Sequence, residues 1–256
     1  MLIVLPPSEA KSPPTKGVTL TPAALSFAKE LSAPRAEVWK RLISLASGPK
    51  KRALSTLGLT AGLADELLRD SNLESASCGP AIETYVGVLY GALEWATLST
   101  AAKKRGESEL LIVSALFGAL RPLDLIPAYR LSMQVKLPKV GPLGTYWKKH
   151  LAQPLDAIES ELLVDMRSQT YLRAWTPNPA HTAHVRVFTE RSGTRSVVTH
   201  MAKFTRGQIT RSLLNLSKSP QSIRELSSAL SLNYEIDVVE PKSAREPYFL
   251  DVILQA

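Results

Sequence analysis

The chain has 256 residues, 45% hydrophobic and 21% charged, which is typical of a globular protein and allows a sizeable buried core. Lysine and arginine number 31 against 23 acidic residues, and the formal charge of +8 favours anionic partners such as nucleic acid, nucleotides or acidic lipid. One cysteine excludes an intramolecular disulfide, and without a targeting segment or a bilayer-length apolar run we expect a cytoplasmic protein with no membrane contact.

Short apolar runs alternate with stretches of helical periodicity. The run Leu2-Ile3-Val4-Leu5 is stopped by two prolines and predicts a buried strand that leads into a loop. Further strands are predicted at 109–114, 162–166, 185–188, 196–200, 234–239 and 248–254, and helices from about 21 and at 35–73, 80–98, 146–159, 203–216 and 220–230. This order predicts an α/β or α+β fold: a single domain over 1–256 with a mixed sheet flanked by helices and a helical insertion near 35–98.

Standard enzyme signatures are missing, because the chain has no phosphate loop, dinucleotide fingerprint or nucleophile elbow. His181 and His184 lie close together in a predicted loop, but no cysteine or carboxylate accompanies them before Glu190. Solvated loop histidines are therefore the better interpretation, and we expect neither a resident metal nor a cofactor. Cys78 lacks cationic neighbours and a second thiol, which favours a structural residue over a peroxide-reactive one.

Four polar segments combine small polar residues with a cation, either just after a predicted strand or on a helix. They lie at 6–11, 114–130, 165–171 and 203–211. Loops at strand ends are where sites in sheet proteins usually lie, so we expect the four segments to converge on one basic cleft. In the last segment, Lys203, Arg206 and Gly207 share one helix face, which predicts two cations beside a bare backbone patch that a phosphate could approach.

Asp124 lies between Arg121 and Arg130 in the second segment. We expect its carboxylate to bond an arginine or a backbone N–H near its own turn, and so to stabilise that turn instead of taking part in catalysis.

At these four segments the sequence resembles the YaaA family of peroxide stress proteins. The most specific stretch is 114–133, and Lys203 with Arg206-Gly207 and Arg211 is a second match, followed by Ser168 with Tyr171. The resemblance implies a DNA-binding protein of mixed α/β fold with a positively charged cleft and a helix-hairpin-helix element. It also implies a role in limiting oxidative damage linked to intracellular iron. Phe204 stands where relatives often have a second lysine.

Residues 51–69 are the candidate for the implied helix-hairpin-helix. Helices predicted at 51–57 and 63–69 are joined by 58–62, and backbone N–H groups in such a hairpin can hold a phosphate without reading sequence. Lys50-Lys51-Arg52 lies beside it, but the tight Gly-x-Gly spacing is absent. An ordinary helical hairpin therefore stays open as an alternative.

Two functions follow from these patterns. The first is DNA binding through phosphates by a monomer, on double-stranded or distorted DNA and with little sequence preference. Its predicted contacts are Lys11, Lys51, Arg121, Arg130, Lys203, Arg206 and Arg211. The alternative is an enzyme acting on a nucleotide or nucleobase in the same cleft, with Asp124, Ser168 and Tyr171 for positioning or acid–base work. An open groove favours the first, and an enclosed pocket with a perturbed acid or base favours the second.

Overall fold

The computed structural model describes residues 1–158, 160–191, 194–197 and 199–255. The helices are α1 (Ala28–Ala46), α2 (Lys50–Leu57), α3 (Asp65–Ser71), α4 (Ala81–Thr84), α5 (Val88–Leu93), α6 (Thr100–Glu109), α7 (Leu143–Asp156), α8 (Gln169–Leu172), α9 (Thr199–Asn215) and α10 (Ile223–Leu230). The strands are β1 (Leu2–Leu5), β2 (Cys78–Pro80), β3 (Leu110–Ser114), β4 (Gly118–Leu120), β5 (Leu125–Pro127), β6 (Lys136–Leu137), β7 (Gly141–Pro142), β8 (Leu163–Asp165), β9 (Thr182–Arg191), β10 (Thr194–Val197), β11 (Glu235–Val239) and β12 (Tyr248–Gln255). Among the described helices, none combines the length and apolar character needed to cross a membrane.

A mixed sheet of eight strands forms the centre, in the order β11-β12-β9-β8-β1-β3-β4 with β10 paired to β9. The five neighbours from β12 to β3 run parallel, and the outer pairings are antiparallel. After β1 the chain continues to β3 on one side, whereas after β8 it continues to β9 on the other. This reversal is a topological switch point, where the carboxyl ends of two neighbouring strands leave a crevice.

The parallel strands are apolar on both faces because helices cover both faces of such a sheet. Every residue of β1 and β3 is buried, in agreement with their unbroken apolar sequences. Helix α9 packs along α5 and against β9, and α1 packs against α3 and α7. The site at the switch point is therefore supported by a rigid sheet and by α5 and α9.

The predicted mixed sheet flanked by helices is confirmed, and each predicted strand has a counterpart. The helix predicted from about 21 is a 3-10 turn at Pro22–Ala24, and α1 begins at Ala28, before the helical region predicted from 35. The helix expected at 80–98 is divided into α4 and α5 by Gly87, whose φ is 110°. Helices α2 and α3 flank a 3-10 turn at Ala61–Leu63, an arrangement that does not confirm a helix-hairpin-helix. Of the strand expected at 196–200, residues 196 and 197 lie in β10, residue 198 lies outside the described residues, and residues 199 and 200 begin α9, so the prediction is wrong there.

Candidate functional site

A cleft of about 390 Å³ lies at the carboxyl ends of β1 and β8, at the switch point. Its volume falls within the roughly 300–1,000 Å³ of typical small-ligand pockets. Its walls come from five segments: residues 6–10 after β1, Gly87 to Tyr90 at the start of α5, Ser132 and Gln134 between β5 and β6, Ser168, Thr170 and Tyr171 after β8, and Lys203 and Arg206 of α9. Three of the four predicted segments therefore contribute to one concave site.

Arg206 and Lys203 supply the positive charge of this cleft. The Arg206 guanidinium donates from Nη2 to the carbonyl oxygen of Val185 at 2.9 Å, and its buried Nε has no hydrogen-bond partner among the described residues. Burial lowers the pKa of Arg206, but an arginine remains charged at neutral pH. Lys203 is exposed on the same wall. The cleft thus holds one cation fixed by a hydrogen bond and one exposed to solvent.

The expected role of Gly207 is wrong. A methyl group built on Gly207 would overlap the carbonyl oxygen of Leu89 and lie 2.8 Å from the Cβ of Ala92. The missing side chain therefore lets α9 approach α5 closely, and Gly207 offers no open backbone to a phosphate. A helix face spaced for packing has the same sequence pattern as one spaced for a ligand.

Lys11 lies buried beneath the cleft wall instead of opening onto it. Its Nζ donates to the carbonyl oxygen of Ser8 at 2.7 Å and lies 3.9 Å from the centre of the Tyr129 ring. Burial, and then the charge of Arg130, lower the pKa of Lys11 to about 7. Lys11 therefore fixes the loop that carries Ser8 and Glu9, both of which line the cleft.

Asp70 is a buried carboxylate that the sequence analysis missed. Its Oδ1 accepts the N–H of Arg130 at 2.8 Å, while its Oδ2 has no partner among the described residues. Burial raises the pKa of Asp70 to about 7, although the bond from Arg130 and the charge of Lys11 oppose the shift. The Arg130 guanidinium pairs with Glu9 at 2.7 Å on the cleft rim. Asp70 thereby joins the helical region to the cleft, through a contact that spans 60 residues.

A chain of buried hydroxyl groups supports the floor. Ser114 Oγ lies 2.7 Å from Tyr129 OH, which in turn lies 2.8 Å from Tyr85 OH. Ser114 Oγ also accepts the N–H groups of Leu116 and Phe117. The most specific stretch of the sequence resemblance therefore builds the layer beneath the cleft.

Asp165 and Arg167 form a fully buried ion pair after β8. Two bonds join them, Nε to Oδ1 at 2.9 Å and Nη2 to Oδ2 at 2.6 Å. Burial alone would raise the pKa of Asp165, but the charge and hydrogen bonds of Arg167 hold it below its usual value. The pair fixes the turn that leads to Ser168 and Tyr171. Burial raises the pKa of Tyr171 to about 12, so its phenol stays neutral at physiological pH.

Comparison with known proteins identifies the family. A profile described as peroxide stress protein YaaA matches residues 1–239. The chain belongs to the YaaA family of peroxide stress proteins. A UPF0246 protein of Streptomyces coelicolor is 42% identical over 259 residues, 99% of this chain and 98% of its own length. UPF0246 proteins of Corynebacterium efficiens (39% identical; 83% of this chain, 84% of its own) and Rickettsia bellii (28%; 82% and 88%) are more distant.

Of the seven predicted cations in this YaaA-family chain, only Lys203 and Arg206 line the cleft, and Arg121 and Arg211 lie outside it. Arg121 donates to the carbonyl oxygens of Ser108 and Leu110, at the amino end of β3 and so at the end of the sheet opposite the cleft. Arg211 donates to the carbonyl oxygens of Leu93 and Glu94, where it closes the last turn of α5. The expectation that all these cations surround one concave site is therefore wrong, because both guanidinium groups cap helix or strand ends.

The remaining predicted residues can be placed in the YaaA-family fold. Asp124 accepts the N–H of Arg121 at 2.8 Å and that of Ser26 at 2.9 Å, which confirms its ordering role and removes it from the cleft. Lys51 is exposed in the first turn of α2, away from the cleft lining. Over the described ranges, no group of three or more His, Cys, Asp or Glu side chains is placed to hold a metal ion.

Proposed function

We propose that this YaaA-family protein acts in the response to peroxide by binding DNA phosphates at the cleft between β1 and β8. Binding would have little sequence preference and would limit iron-linked oxidative damage. Arg206 carries the proposal, because it lines the cleft and the hydrogen bond of its guanidinium within the described residues goes to a neutral carbonyl oxygen, that of Val185, and not to a carboxylate. A phosphate oxygen that reaches the guanidinium would supply a compensating negative charge.

The size of the cleft suggests which DNA form it accepts. A volume of about 390 Å³ accommodates a single nucleotide unit and not the width of a duplex. Ser8, Ser168 and Thr170 line the same space, and hydroxyl side chains of this kind can bond sugar or phosphate oxygens. We therefore expect distorted or single-stranded DNA to bind more tightly than intact duplex.

The test is a salt titration of binding to unrelated oligonucleotides. If Lys203 and Arg206 each neutralise one phosphate, log affinity falls by about 1.4–1.8 per log unit of salt, so a fourfold rise in salt weakens binding roughly 7- to 12-fold. Arg206→Ala should lower that slope by roughly 0.7–0.9 for every sequence alike. Arg224→Ala removes the same charge from an exposed position on α10 and serves as the control. A flat salt response, or equal slopes for the two variants, contradicts the proposal.

An enzyme acting on a nucleotide or nucleobase is the second candidate, and the pair Lys11 and Asp70 favours it. Burial brings the pKa of both groups to about 7. Lys11 bonds the carbonyl oxygen of Ser8 in the cleft wall, and Asp70 bonds the N–H of Arg130, whose guanidinium pairs with Glu9 of the same wall. General acid–base catalysis is most effective when the pKa lies near the working pH. Incubation of the protein with nucleotides and oligonucleotides should then yield a product, detected by chromatography, that Asp70→Asn abolishes. Unchanged substrates across the panel would reject this candidate.

A further inference from the structure

A second cavity, of about 220 Å³, lies behind the segment that follows β8. Ser168 and Thr170 line the cleft, whereas the neighbouring Gln169 and Leu172 line this second cavity. Its apolar walls are Leu172, Pro177, Pro179, Pro247 and Phe249. The volume lies below the roughly 300 Å³ of the smallest typical ligand pockets, so it suits one ring system. A larger cavity of about 1100 Å³ adjoins it and shares five of its lining residues, so a group attached to that ring has room outside.

His184 is the principal polar group of this cavity. The sequence suggested a solvated loop histidine, but His184 lies in β9 with 5% of its surface exposed. Its Nδ1 has no hydrogen-bond partner among the described residues, and a buried polar atom without a partner is costly. Burial lowers the pKa of His184, so the ring is neutral at physiological pH and can form a hydrogen bond with a ligand atom that reaches it. These properties suit a ligand that forms hydrogen bonds along its edge.

Two charged residues line the cavity, the buried Asp165 and the exposed Arg245. Arg167 pairs with the Asp165 carboxylate at 2.6 Å. The part of a ligand that is buried against Asp165 and His184 should therefore be neutral, since an ion would lack a partner there. The ring of Phe249 meets His184 edge-on at 6.1 Å and has the Arg186 guanidinium over its ring, 4.2 Å from the centroid, so one side of it is covered. The other side of the ring and the prolines of the wall provide flat apolar surfaces. A flat, neutral ring with polar edges matches this lining.

We infer that this cavity binds a nucleobase, with Phe249 and the prolines against the ring and with His184 and Gln169 at its edge. Arg245 lies at the cavity wall, where it can contact the attached sugar or phosphate. The base arrives either as a free nucleoside or as a base displaced from a DNA strand. This site goes beyond the phosphate cleft, and its occupancy does not require Arg206.

Isothermal titration with adenosine, guanosine, cytidine and thymidine tests the inference, with ribose as the probe that lacks a base. Thr176 is an exposed residue of the cavity wall, so Thr176→Trp should fill the cavity while the fold, checked by circular dichroism and Tm, is kept. Ala180→Trp places the same side chain on an exposed neighbour outside the cavity and is the matched control. We expect at least one nucleoside to bind and ribose not to bind. Of the two tryptophan variants, only Thr176→Trp should lower the affinity for that nucleoside, by tenfold or more. His184→Leu should weaken it by up to about tenfold, the value of one hydrogen bond.

A single-stranded oligonucleotide distinguishes the two sources of the base. If no nucleoside binds but Thr176→Trp weakens the oligonucleotide at least fivefold, the cavity takes displaced bases. If Thr176→Trp changes neither nucleoside nor oligonucleotide binding, the inference is overturned. If Arg206→Ala loses DNA binding and Thr176→Trp has no effect, the phosphate cleft is supported and the base site is rejected. The reverse pattern would support the base site and reject the cleft.

Discussion

Replacement of Gly207 by alanine tests how closely α9 must approach α5. The added methyl group would overlap the carbonyl oxygen of Leu89 and lie 2.8 Å from the Cβ of Ala92, where ordinary contact begins at 3.4 Å. The helices must therefore separate by at least about 0.6 Å, and overpacking of this kind typically costs about 1–3 kcal/mol. The first turn of α5 forms one wall of the cleft, so the displacement should also reach the site.

An opposing effect has to be weighed, because alanine favours a helix over glycine by about 1 kcal/mol. The backbone oxygen of Leu89 cannot rotate away as a side chain could, and for that reason we place the packing cost at the upper end of its range. The net loss in free energy of unfolding should be about 1–2 kcal/mol.

Urea unfolding of Gly207→Ala and Gly91→Ala measures the two effects separately. Gly91 lies in α5, and a methyl group there meets no atom within 4 Å, so that variant should gain up to about 1 kcal/mol from helix propensity alone. If Gly207→Ala is as stable as the wild type, or if both variants gain equally, the close approach of the two helices is refuted.

Three further predictions concern buried groups. Arg167→Met should lower the free energy of unfolding by about 3–5 kcal/mol, because Asp165 loses its only charged partner among the described residues; an unchanged urea midpoint would contradict this. Cys78 should resist thiol reagents and dilute peroxide in the folded protein, since burial raises its pKa to about 11, and sulfenic acid found there by mass spectrometry would argue otherwise. Asp70→Asn should gain stability relative to the wild type as pH rises from about 4 to 7. The folded pKa of Asp70 is about 7 against 3.8 unfolded, so the wild type loses stability through that window; a difference constant with pH in urea titrations would disprove it.

The sequence predicts the sheet well because parallel strands must be apolar on both faces. The apolar runs at Leu2–Leu5 and Leu110–Ser114 can therefore be recognised as strands from the sequence, without knowing which strands pair with them. The same logic places the polar residues after β1 and β8 at a common edge, which the cleft confirms.

What the sequence could not predict depends on contacts between distant residues. Nothing near Asp70 indicates that it receives the N–H of Arg130, since a carboxylate in a short helix is usually solvated. Arg121 has the spacing of a ligand-binding cation, yet backbone carbonyl oxygens 11 and 13 residues away satisfy it. The prediction for Gly207 is wrong for the same reason, because the position of α5 decides whether the backbone of this glycine is accessible to a ligand.

The position of β1 in the sheet also determines when this strand can find a partner during synthesis. Strand β1 emerges first, but its two neighbours are β3, which begins at Leu110, and β8, which begins at Leu163. At about 5–20 residues per second, the ribosome needs roughly 5–20 seconds to supply the first of these partners. Throughout that interval the apolar residues Leu2 to Leu5 are exposed without a partner strand. The nascent chain should therefore bind hold-type chaperones at its N-terminal end, and slow codons before residue 110 should increase its aggregation.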